Sequence, residues 1–122
     1  LFYLNIAKST AACISYLQID IHSKKIMAEV KLKLDNRRRG AFYIEEDGKQ
    51  AGEMVIGLSE TTLTVYHTEV DPAMEGRGLA RLMLNAMVSY AREHELQVLP
   101  LCEYVHTQFR RHPDEYADIW KR

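Results

Sequence analysis

Residues 62–102 read TLTVYHTEVDPAMEGRGLARLMLNAMVSYAREHELQVLPLC, and this stretch decides the fold. Its first nine residues are β-prone and alternate in character, as a strand does. Asp71-Pro72 stops that strand, because proline lacks an N–H and restricts the residue before it. From Gly78 to His94, apolar residues recur at 79, 82, 83, 86, 87, 90 and 91, with Arg81, Asn85, Ser89, Arg92 and Glu93 elsewhere. That is the period of a long amphipathic helix. The segment LQVLPLC, 96–102, is apolar on both faces apart from Gln97, as expected of a buried strand parallel to a neighbour. Strand, helix and strand make one right-handed crossover unit.

Working upstream, turn signals fall at Asp35-Asn36 to Gly40, at Asp47-Gly48 and at Ser59-Glu60. They divide a period-two pattern into strands near 28–34, 41–46, 50–58 and 62–70. Asp47-Gly48 is a two-residue hairpin signal that tolerates positive φ, so the strands on either side should be antiparallel neighbours. A four-strand meander follows. Downstream, EYVHTQFRRHPDEYADIWKR reads as a short helix ended near His112-Pro113, then a helical or irregular tail around 114–120. The fold class predicted is α+β, a mixed sheet in which strands 1–4 are antiparallel and strand 5 runs parallel to strand 4 through the long helix.

The chain begins with Leu1, whereas Met27 directly precedes the patterned AEVKLKLD. Residues 1–26 are therefore expected to be an upstream extension and 27–122 the working domain. The extension carries its own alternation, Cys13, Leu17, Ile19 and Ile21 against Tyr16, Gln18, Asp20 and His22, which allows an added edge strand at 13–21.

One domain of ordinary globular composition is implied by 122 residues, 47% hydrophobic and 27% charged. The formal net charge of −1 supplies no basic field for nucleic acid or anionic membrane, so neither partner is expected. Two cysteines, Cys13 and Cys102, do not make a disulfide framework and fit a reducing, cytoplasmic setting. The opening LFYLNIAKSTAACISYL lacks a basic start and is interrupted by Asn5, Lys8, Ser9 and Thr10, so neither signal peptide nor transmembrane helix is expected. A monomer or weak dimer is expected.

Chemistry concentrates in Glu75-Gly76-Arg77-Gly78-Leu79-Ala80, between the end of a strand and the start of a helix. Glycines there let backbone approach a ligand, and free N–H groups at a helix start suit a phosphate or pyrophosphate. The same glycines would also serve a tight turn with no ligand. A dinucleotide fingerprint would need a third glycine where Arg81 stands, and a P-loop would need Gly-Lys-Ser/Thr at its close. Neither is present.

The loop resembles the pyrophosphate loop of the GNAT acetyltransferases, Gln/Arg-x-x-Gly-x-Gly/Ala, except that Glu75 stands in the first position. The resemblance extends through VYHTEVDPAMEGRGLARLMLNAMVSYAREHELQVLPLCEYV and RRHPDEYADIW to a compact, single-domain GNAT type over 27–122. It implies a sheet splayed between strands 4 and 5, with the pantetheine arm of acetyl-CoA in the opening. The pyrophosphate would lie on the amides of Gly76, Arg77, Gly78, Leu79 and Ala80. It implies further that Cys102, within Pro-x-Cys, is an acetyl-accepting nucleophile and His67 its base. Glutamate at 75 leaves the amide cradle intact but removes a cationic or amide side chain.

Acyl transfer needs a nucleophile with a free lone pair, a donor for the developing oxyanion and an acid for the leaving thiolate. The N–H near Val70, where the fourth strand ends, can polarise the carbonyl. By simple alternation His67 and Glu69 share a face, and either can take a proton from an amine, although a bulge would change the parity. Their alternatives are a core histidine and a solvated strand end. Cys102 ends the fifth strand, where open sheets place ligand-binding residues; otherwise it is a small core residue. Tyr104 and Tyr116 are candidate acids for the thiolate or core aromatics like Phe109 and Trp120. Cys102-x3-His106 with His67 and His112 lacks the paired short spacing of a zinc site, and no metal is expected. The runs Arg37-Arg38-Arg39 and Arg110-Arg111 read as solvated charge.

The reading is an acetyl-CoA-dependent N-acetyltransferase acting on a small amine or a protein lysine. The alternative is a non-catalytic acyl-CoA-binding or interaction module that keeps the fold.

Overall fold

The computed structural model describes residues 29–122. The extension at 1–26, Cys13, Met27 and the edge strand considered at 13–21 lie outside the described residues. The elements run β1 (Val30–Leu34), β2 (Arg39–Glu46), β3 (Lys49–Leu58), β4 (Thr62–Val70), a 3-10 turn (Pro72–Met74), α1 (Leu79–Glu93), β5 (Gln97–Pro100) and α2 (Glu103–Arg111). The sheet order is β1-β2-β3-β4-β5, antiparallel through β4, with β5 parallel to β4.

Each turn has a local cause. Asp35 accepts the N–H groups of Arg37 and Arg39 at 2.8 and 3.0 Å, and those bonds hold its carboxyl below the usual range. Asp47 and Gly48 take positive φ of 53° and 77°, which matches the twist of the β2–β3 hairpin. At Ser59 the hydroxyl accepts the N–H of Thr62 at 3.1 Å and tightens the β3–β4 turn.

Alternation along β2 and β3 puts Phe42, Ile44, Met54 and Ile56 on the face that α1 covers, all of them buried. The helix answers with Leu79, Met83, Leu84, Met87, Val88 and Ala91. Its buried stripe is thus centred on 83, 87 and 91. Leu84 and Val88, missing from the apolar period read in the sequence, are inside, while Leu82, Ala86 and Tyr90 are only partly covered. Tyr90 meets Phe42 edge-on, with ring centroids 5.8 Å apart.

Beyond α2 the chain is irregular until Trp120, which forms an isolated parallel bridge with Val98. Val98 donates to the carbonyl of Ile119 at 2.6 Å and accepts from Lys121 at 2.9 Å. Phe109 stacks on Tyr116 at 4.6 Å and meets Trp120 edge-on at 5.7 Å, pinning this segment to the core. Tyr116 is buried in that stack.

Candidate active site

The site starts with an irregularity in β4. Ile56 pairs with Val65 but Val55 pairs with His67, so Tyr66 is an extra residue, a β-bulge. Before it, Leu63 and Val65 face the core; after it, Thr68 and Val70 take the side facing α1 and α2, while Tyr66, His67 and Glu69 are exposed. The bulge also ends the parallel ladder, which runs only from Thr62↔Gln97 to Val65↔Pro100. There β5 leaves the sheet: the N–H groups of Leu101 and Cys102 both donate to the Val65 carbonyl at 3.0 Å. This is why β5 is shorter than the 96–102 apolar run.

Among the described residues, β4 therefore has an open edge from Tyr66 onward. The Asp71 N–H donates to Ala51 on the β3 side at 2.8 Å. Because amides alternate in direction along a strand, the N–H of Val70 turns to the open side.

The glycine loop closes the far end. Asp71 caps the 3-10 turn by accepting the Ala73 N–H at 3.0 Å. Gly76 and Gly78 then adopt φ of 85° and 78°, a conformation costly for other residues. A Cβ on either would meet nothing within 4 Å, so the requirement is on the backbone and not on space. Gly78 is the N-cap of α1, with no side-chain cap and no acidic residue in the first turn. The first amides of the helix thus have no side-chain acceptor from the cap, and they lie at the positive end of the helix dipole. Between this loop and the open edge lies a cleft of about 410 Å³, walled by Thr68, Val70, Gly76, Gly78, Ala80, Arg81 and Tyr104 among others.

The structure distributes the remaining candidates over two faces. Cys102 is a buried free thiol at the N-cap of α2, and its Sγ lies 3.2 Å from Thr68 Oγ1. His67, next along the strand, faces the other way and places Nε2 3.5 Å from Glu69 Oε2, with both side chains well exposed. His67 and Glu69 do share a face, because the bulge precedes both. The partner of Cys102 is Thr68, however, and His67 is not brought to it. Arg77 contributes its backbone to the loop, but its side chain leaves the cleft. Tyr104 stands in the cleft wall, where burial raises its hydroxyl pKa against the lowering charge of Arg81. It therefore keeps its proton at neutral pH. His106 packs edge-on against Trp120 at 6.1 Å.

Residues 41–119 match the family model described as GCN5-related N-acetyl-transferase. The chain belongs to this family. Among solved structures, a GCN5-like putative N-acetyltransferase from Staphylococcus aureus aligns with a TM-score of 0.56 at 22% identity. The alignment covers 78% of this chain and 91% of that one, and it shows the shared fold. The ribosomal-protein alanine N-acetyltransferases of Escherichia coli and Brucella melitensis align at 20% identity, with a TM-score of 0.49 each. They cover 52% and 71% of this chain; of their own length the match spans 42% in the first and 64% in the second. No curated protein sequence matches the chain.

For this GCN5-related chain, acetyl-CoA is the cosubstrate the family uses, and the residues present fit it. The open β4 edge offers a strand-like partner for an amide-bearing arm, and the uncapped helix start offers N–H groups to a pyrophosphate. Two residues of the site went unnoticed in the sequence. Thr68 enters the cleft only because Tyr66 shifts the parity, and no residue type announces that bulge. Glu53 lies directly across from Glu69, a position set by the β3–β4 turn at Ser59 together with the extra residue at Tyr66. Glu53, Glu69, Val70 and Asp71 border a second cavity of about 360 Å³ on the β3 side of β4. Among the described residues, no helix is long and apolar enough to cross a membrane.

Proposed function

We propose that this chain is an acetyl-CoA-dependent N-acetyltransferase acting on an amine, a small molecule or a protein lysine. The observation that carries the proposal is the opening of the sheet after Val65, which leads directly to the uncapped start of α1. When bound, acetyl-CoA supplies an acyl group already activated as a thioester.

The amides of Gly76, Arg77, Gly78, Leu79 and Ala80 hold the pyrophosphate, and the Val70 N–H stabilises negative charge on the carbonyl oxygen. Tyr104, whose hydroxyl holds its proton through neutral pH and further up because burial raises it, donates to the departing sulfur. Glu69 and His67 take the proton from the amine, directly or through water. The acceptor approaches through the cavity shared by Glu69 and Val70, which adjoins the cofactor cleft through Val70 itself. We place this chemistry in a reducing cytoplasm, where Cys102 stays a thiol.

A second route is favoured by one observation, the thiol of Cys102 held against Thr68 at the mouth of the splay. There Sγ takes the acetyl group, a new thioester forms as CoA leaves as the thiol, and the amine then attacks acetyl-Cys102. Thr68 rather than His67 is the group in contact with that sulfur.

The test is release of free CoA thiol from acetyl-CoA over a panel of amines, repeated with His67→Ala, Glu69→Gln and Cys102→Ala. Amine-dependent release abolished by Glu69→Gln and kept by Cys102→Ala supports direct transfer. An acetyl group on Cys102 in peptide mass spectra, with loss of turnover in Cys102→Ala, supports the two-step route. CoA binding without turnover on any amine would leave the non-catalytic binding module.

A further inference from the structure

Arg77 stands between the two glycines of the loop, and the structure sends its guanidinium away from the cleft. Nη1 and Nη2 donate to the two carboxylate oxygens of Glu46 at 2.9 and 2.8 Å, and Nη1 also reaches Met74 Sδ at 2.9 Å. Fork-on-fork pairing of this kind fixes orientation as well as distance. Glu46 is the last residue of β2, and the alternation Phe42, Ile44, Glu46 puts it on the face that α1 covers. The pair thus ties the loop to the end of β2, beside the hairpin that joins it to β3.

We infer that Glu46 is a positioning residue for the cofactor, acting through Arg77, and that Arg77 serves the pyrophosphate by being held and not by touching it. The inference rests on the assignment of the loop as the CoA cradle. A loop containing two glycines at positive φ has much conformational freedom to lose on binding. An anchor on its only intervening side chain removes that loss beforehand, which raises affinity without adding a contact. The pairing has a second effect. An unpaired carboxylate at the edge of an anion site would repel the ligand, and Arg77 cancels its charge. Both side chains are part-exposed, 41% for Arg77 and 22% for Glu46, so the pair adds little to global stability while still setting the loop.

The test is calorimetric titration of CoA into the wild-type chain, Glu46→Gln, Arg77→Ala, their double variant, and the exchanged pair Glu46→Arg with Arg77→Glu. Glu46→Gln and Arg77→Ala should each weaken CoA by about fivefold to tenfold, and the double variant no more than either, since one unit is lost once. The exchanged pair should recover much of the affinity. For Glu46→Gln, KM for acetyl-CoA should rise with kcat at saturation unchanged, and the melting temperature of each variant should stay within about 3 °C of wild type. If Glu46→Gln binds CoA as tightly as wild type, or tighter, while Arg77→Ala weakens it, Arg77 touches the phosphate and the inference falls. A wild-type chain that binds no CoA removes the cradle assignment itself, a result distinct from the first.

Discussion

The two edges of β4 are built to different ends. Towards β3 the strand is laddered from Leu63 to Val70, with a single bulge absorbed at Tyr66. Towards β5 the pairing stops at Val65, and the rest of the edge fronts a cleft. One strand therefore belongs both to the part of the sheet that stabilises the fold and, among the described residues, to a part whose outer edge has no partner strand. Backbone polar groups are seldom left without partners inside a protein, so an unpaired strand edge beside a core is a sign of binding. Mutations on the two sides should separate stability from binding.

The largest effect should come from the laddered side. Ile56→Ala removes a fully buried side chain between β3 and α1 and should cost about 2–5 kcal/mol in urea unfolding. CoA affinity per folded molecule should stay near the wild-type value. A comparable loss of affinity would show that the two edges are not separable. Next in size is Tyr104→Phe on the open side, expected to lower kcat by about a hundredfold with KM for acetyl-CoA little changed. Because burial raises this tyrosine, wild-type kcat should hold up to the ordinary tyrosine range near pH 10 and fall above it as the proton is lost. The variant should lack that alkaline limb.

Gly78→Ala should show the open edge at smaller scale. A φ of 78° costs an alanine about 1–2 kcal/mol, and relief of that strain by shifting the first turn of α1 should weaken CoA about tenfold, read by titration. The smallest effect lies far from either edge. Arg92 donates to Asp118 at 3.0 Å, and this bond lowers the pKa of the Asp118 carboxyl. A carboxyl lowered in the folded state adds stability above its unfolded value near 4, lost as pH falls through the folded value. The pair is exposed, so Asp118→Asn should cost less than about 1 kcal/mol at pH 7, and nothing at pH 2, in parallel urea titrations.

Much of this organisation was legible because it rests on local chemistry. Asp47-Gly48 announces a hairpin that the structure forms, and Asp71-Pro72 ends β4 where the strand does end. The GRGLA stretch places glycines where positive φ is required. What was not legible arises from pairing between distant residues. The bulge at Tyr66 depends on the register between β3 and β4, and it alone decides that Thr68, not His67, meets Cys102. The clasp of Arg77 by Glu46 joins residues 31 positions apart, and a lone arginine between glycines reads equally well as a phosphate ligand. The helix stripe was displaced for a related reason: its buried centre is set by where the sheet lies beneath it, which periodicity cannot fix.

The bridge between Val98 and Trp120 has a consequence for solubility. A short apolar strand such as QVLP, left bare at the side of a sheet, is a template on which another chain can add itself. Here Val98 is hydrogen-bonded outward to Ile119 and Lys121 of its own chain, and Phe109 and Tyr116 hold that segment down. The segment 119–121 guards the rim of β5, and removing it should convert a dispersed protein into one that self-associates.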